Sequence, residues 1–92
     1  MNFQRAKLSN VNLQDAVIRN CDFTCANFKN SNLKNVDFKG INLCGADMIN
    51  CDLSNSNLEG SDLSGTILYH AKLDNSKLSN AYIRNRYWEY WF

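Results

Sequence analysis

Every fifth residue of this chain is large and apolar. The series runs Phe3, Leu8, Leu13, Ile18, Phe23, Phe28, Leu33, Phe38, Leu43, Met48, Leu53, Leu58, Leu63, Leu68, Leu73, Leu78 and Ile83, 17 positions with no insertion. At 45% apolar content, such a run in a preset register arises by chance about once in a million. Five residues turn an α-helix by about 500°, which would smear these side chains around every side. On a straight strand, positions five apart alternate between faces. A chain that bends once every five residues, each short extended segment aiming one large side chain inward, puts all 17 on a common axis. We call these 17 positions the centres.

The other positions fit that backbone. Two residues before each centre, 13 of 17 residues are Ala, Ser, Cys or Thr, small enough to point inward beside a Leu or Phe. The residue just before the centre is Asn or Asp in 11 of 17 repeats. Two residues after the centre come mostly Asn and Gly, including all four glycines, as corners with φ > 0 require. The absence of proline suits a backbone whose N–H groups are nearly all used between stacked coils. The expectation is an all-β solenoid with a continuous apolar column.

Clean copies such as Cys51-Asp52-Leu53-Ser54-Asn55 and Ser61-Asp62-Leu63-Ser64-Gly65 resemble the pentapeptide-repeat family. The resemblance covers residues 1–85 and implies a right-handed quadrilateral β-helix of about four coils, with four pentapeptides per coil. Residues 20 apart then stack, and corner asparagines such as Asn35, Asn55 and Asn75 are expected to form ladders. Residues 86–92 depart from the repeat and hold both tryptophans. This segment is expected to be a short aromatic C-terminal cap, shielding the apolar end and unpaired backbone of the last coil. Tyr87, Trp88, Tyr90, Trp91 and Phe92 are also candidates for a homodimer seam, since Trp and Tyr dominate interface energetics.

Chemistry-bearing residues are sparse. Cys21 and Cys25, with Cys44, Cys51 and the single His70 downstream, invite a zinc reading, but the five-residue frame spreads them over different walls and corners where they do not converge tetrahedrally. Cys25 and Cys44 fall near one corner on adjacent coils, and a disulfide between them is an alternative to two free thiols. With one histidine, and glutamate only at Glu59 and Glu89, no triad or acid–base pair is visible. No catalytic, cofactor-binding or metal-binding residue is assigned, and a non-enzyme is expected. On the outside, Ile49 and Tyr69 share one column with Ile67 beside them, an apolar cluster of the kind that marks contact sites.

The net charge of +1 argues against nonspecific nucleic-acid binding, which needs a basic excess. Apolar runs are too short to span a membrane, and four cysteines without an export segment point to a reduced, cytoplasmic protein. The expected role is a protein-binding or scaffold module with an unidentified protein partner, or a structural module with no discrete site. The resemblance implies one alternative, because some pentapeptide-repeat proteins are DNA-mimic-like and protect type II topoisomerases such as gyrase from quinolones. Lys34 and Lys72 beside Asp52 and Asp74 interrupt the acidic strip that such mimicry needs.

Overall fold

The structure is a computed structural model and describes residues 1–84. Its backbone closes a coil every 20 residues. Asn2 pairs in parallel with Asp22, Asp22 with Asn42, Asn42 with Asp62 and Asp62 with Tyr82, and the other three walls repeat the same step. Four corners per coil make the cross-section four-sided. The first wall carries centres Phe3, Phe23, Leu43, Leu63 and Ile83, the second Leu8, Phe28, Met48 and Leu68. The third carries Leu13, Leu33, Leu53 and Leu73, the fourth Ile18, Phe38, Leu58 and Leu78.

Each wall is too short for more than one bridged residue per coil, so the ladder is narrow and its bonds run both ways. Leu33 N–H donates to Asp52 C=O at 2.8 Å, Asn35 N–H to Ser54 C=O at 2.9 Å, and Asp52 N–H to Ser31 C=O at 3.1 Å. Between walls the chain turns tightly, as where Ser56 N–H donates to Leu53 C=O at 3.0 Å. Such a turn needs φ > 0 at its third residue. Every fifth residue from Arg5 to Asn80 has φ between 55° and 70°. Asn and Gly tolerate that region; β-branched side chains do not. Asn55→Val, at φ 60°, is therefore expected to cost about 1–2 kcal/mol, whereas Asn55→Gly stays near neutral. Urea melting of the two variants checks this, and equal losses would contradict it.

Inside, the centres from Phe23 to Leu68 are buried, while those of the first and last coils are half-buried. The small inward residues are buried with them, and their polar atoms are satisfied. Cys51 Sγ donates to Phe28 C=O at 2.9 Å, Thr66 Oγ1 to Leu43 C=O at 2.8 Å and Ser76 Oγ to Leu53 C=O at 2.7 Å. Each reaches back 23 residues to a centre carbonyl on the preceding coil. This is why Ser, Thr and Cys interchange with Ala at an inward position: a buried hydroxyl is tolerable only with a partner.

Candidate functional site

The outer surface is built on a second repeated device. All 11 Asn and Asp residues that precede a centre accept the backbone N–H two residues on through Oδ1, at 2.9–3.1 Å. These side-chain turns occupy N–H groups that the ladder leaves over. Thr24, Ser54 and Ser64 add hydroxyl bonds of 2.6 Å to the same oxygens. Asp22, Asp37, Asp47, Asp52 and Asp62 are thus held as parts of the scaffold.

Charge is paired between coils on two walls. Lys29 Nζ lies 3.9 Å from Asp47 Oδ2, and Lys34 Nζ 3.7 Å from Asp52 Oδ2. Partial burial pushes the Asp52 carboxyl up. The Ser54 hydroxyl and N–H bonds outweigh it, with Lys34 and Lys72 assisting, and the carboxyl lies below its ordinary 3.8. Asp22 is lowered chiefly by hydrogen bonds from Thr24, with Gln4 contributing. A folded-state value below the unfolded one means the unfolded chain binds protons more readily, so this stability is present above the ordinary carboxylate range and is lost as pH falls through the folded value. Asp52→Asn keeps an oxygen acceptor but no charge. Its urea midpoint is expected to drop less than that of the wild type between about pH 7 and about pH 3; an identical drop would show that Asp52 contributes nothing to acid sensitivity.

The structure brings Ile49, Ile67 and Tyr69 together on the second wall. Met48 N–H donates to Ile67 C=O at 2.8 Å and Asn50 N–H to Tyr69 C=O at 2.9 Å, which sets the two coils in register there. All three residues are half-buried rather than fully exposed, because side chains in neighbouring coils stand about 4.8 Å apart and cover one another. The more exposed large apolar side chains beyond Met1 are Val17 (63%) and Tyr82 (49%), with the Arg84 guanidinium over the Tyr82 ring. Tyr87, Trp88, Tyr90, Trp91 and Phe92 lie outside the described residues. The same is true of the whole of segment 86–92.

Two openings mark the first coil. The inward faces of Phe3, Leu8, Leu13 and Ile18 line an apolar depression of about 290 Å³ at the end of the column. A second, polar opening of about 300 Å³ lies where Arg19, Asn20 and Cys21 face Lys39, Gly40 and Ile41. Here the ladder is stretched: Ile18 N–H reaches Asp37 C=O at 3.3 Å, against 2.8 Å for the equivalent Phe38 to Asn57 bond one coil on. Among the described residues there is no group of three or more His, Cys, Asp or Glu side chains able to hold a metal, and no helix long and apolar enough to cross a membrane.

The family model described as "Pentapeptide repeat region" matches residues 1–68. Among curated proteins no match was found. Solved structures similar to this chain include HetL, a pentapeptide repeat protein involved in heterocyst differentiation regulation from the cyanobacterium Nostoc sp. strain PCC 7120. It is 27% identical with a TM-score of 0.85, over 88% of this chain and 38% of that one. Rfr23 from the cyanobacterium Cyanothece 51142 is 27% identical with a TM-score of 0.51, over 85% and 60%. QnrB1, a plasmid-mediated fluoroquinolone resistance protein, is 26% identical with a TM-score of 0.50, over 82% and 46%. The present chain thus spans from 38% to 60% of the length of these three proteins. The likeness implies a right-handed quadrilateral β-helix, in keeping with the 20-residue step and the corner every five residues. On the family match across most of its length, and on the repeat itself, this chain belongs to the pentapeptide-repeat family.

Proposed function

We propose that this chain is a non-enzymatic, cytoplasmic protein-binding or scaffold module whose contact surface is the second wall. The observation that carries this reading is the clustering of Ile49, Ile67 and Tyr69 on one side of a column whose backbone is bonded coil to coil. Apolar side chains held on a rigid wall lose little conformational entropy on binding. In the same proposal, segment 86–92, which lies outside the described residues, serves as an aromatic cap on a column of about four coils and as a homodimer seam. In a pull-down from lysate, wild type is expected to recover a protein that Ile49→Ser/Tyr69→Ser loses while melting like wild type. Equal recovery by both would overturn the assignment of the wall. For the tail, deletion of 86–92 is expected to halve the particle mass in solution, and an unchanged mass would remove the dimer seam.

The likeness to QnrB1 supports a second reading, a topoisomerase-directed protector. The Lys29–Asp47 and Lys34–Asp52 pairs weigh against it, because they break the acidic columns that would mimic a polyanion. Gyrase supercoiling with and without a fluoroquinolone decides between the two: protection favours the second reading, and an unaltered assay retires it.

A further inference from the structure

Cys25 stacks on Gly45 at the 20-residue step of the first wall, which leaves Cys44 diagonal to it, one residue out of register on the next coil. The Cys25 N–H donates to the Cys44 C=O at 2.8 Å, tying together the two adjacent coils at these residues. With strands about 4.8 Å apart and a rise of about 3.3 Å per residue, this one-residue offset puts the two Cα atoms about 5.8 Å apart, within the roughly 4.4–6.8 Å that a disulfide spans. Cys25 stands exposed at a corner with φ 58°, and Cys44 is half-buried one coil on. The Cys25 sulfur leans toward the Cys44-Gly45 segment: a Cβ at Gly45 would lie only 3.0 Å from it. Glycine at 45 therefore leaves the space that this sulfur fills, next in sequence to Cys44.

We propose that Cys25 and Cys44 are a thiol pair that closes to an intramolecular disulfide with a low-molecular-weight disulfide such as oxidised glutathione, clamping two coils on the first wall. The exposed Cys25 thiolate attacks one glutathione sulfur and expels the other half as a thiolate. Cys44 then loses its proton and attacks the Cys25 sulfur, forming the protein S–S bond and expelling the second glutathione thiolate. One disulfide is reduced, two protein thiols are oxidised, and two glutathione molecules leave. Burial, with help from Asp62, Cys25 and Asp22, pushes the Cys44 thiol up, so the second step quickens as pH rises.

The other two cysteines are placed differently. Cys51 is buried, its thiol pushed up to about 11, and its sulfur donates to Phe28 C=O. Cys21 turns its sulfur to Arg19 C=O at 3.2 Å.

The test is to treat the native full chain with oxidised glutathione and follow intact mass and alkylatable thiols. Wild type and Cys21→Ser are expected to lose two hydrogens and two reactive thiols. Cys25→Ser is expected to form no intramolecular bond, and Cys44→Ser to retain one glutathione at Cys25. The oxidised wild type should melt roughly 10 °C or more above the reduced form. Persistent glutathionylation of wild type, loss of two thiols in Cys25→Ser, or an unshifted melting point would each overturn the proposal.

Discussion

Leu53→Asp is expected to leave the chain unfolded at room temperature. Leu53 is fully buried on the third wall, between Leu33 one coil before and Leu73 one coil after. Its N–H donates to Lys72 C=O at 2.8 Å, and its C=O accepts from Ser56 N–H and Ser76 Oγ. The neighbouring inward hydroxyls are already engaged, Ser56 Oγ donating to Ser76 Oγ at 3.4 Å and Ser76 Oγ to Leu53 C=O at 2.7 Å. Losing the leucine forfeits about 1.5–3 kcal/mol of burial, and an unpaired charge in the column adds several kcal/mol more. A domain of this length has on the order of 5–14 kcal/mol in all. Circular dichroism and urea melting read the outcome. The control is Ser79→Asp on the exposed face of the fourth wall, expected to change stability by less than about 0.5 kcal/mol. Comparable losses at the two positions would mean that the inward and outward assignments are wrong.

Phe28→Ala carries the second large effect. Three phenylalanines tile the same coil: Phe28 lies 5.3 Å from Phe23 and 6.1 Å from Phe38 between ring centroids, and Phe23 meets Phe38 edge-on at 6.3 Å. Phe3 stacks on Phe23 from the coil before, at 5.1 Å and 7°. Truncating a buried Phe costs about 3–5 kcal/mol. The upper part of that range is expected here, because a coil bonded to its neighbours on both sides cannot collapse onto the cavity. Phe28→Leu should recover more than half of the loss. A urea series with a constant slope checks both variants, and a loss below about 1 kcal/mol for Phe28→Ala would show that the core is not packed as described.

Much of this architecture was legible in the period of five. The centres lie inward, and positive φ falls at every corner position from Arg5 to Asn80, including the unfavourable Arg5 and Cys25. Composition alone would have missed those two, since neither residue prefers that conformation; the frame located them. The 11 Asn/Asp preceding the centres were visible as a pattern, but their role was not. It depends on Oδ1 reaching an N–H two residues on, which follows only once the bend is known.

The expected ladder at Asn35, Asn55 and Asn75 takes a different form. Asn35 Nδ2 donates to Asp15 Oδ1 at 2.8 Å, and Asn50 Nδ2 to Asn30 Oδ1 at 3.1 Å. Rotamer choice at a solvent-facing corner decides such bonds, and periodicity carries no information about it. The stretched step between Ile18 and Asp37 was likewise hidden: Val17 departs from the Asn/Asp pattern before a centre, but so does Lys7, whose step from Leu8 N–H to Asn27 C=O is 2.7 Å. Of the candidate contact residues, the frame placed Ile49, Ile67 and Tyr69 on one wall, whereas their degree of cover depended on stacking with adjacent coils.

The central claim is that the chain advances one coil every 20 residues with a bend at every fifth. Long-range backbone nuclear Overhauser effects in solution test it most directly. Effects linking Asn32 to Asp52 and Asp52 to Lys72, repeated on the other walls at the same step of 20, are the predicted result. A step of any other length, or the short-range pattern of a helix through residues 46–65, would contradict it.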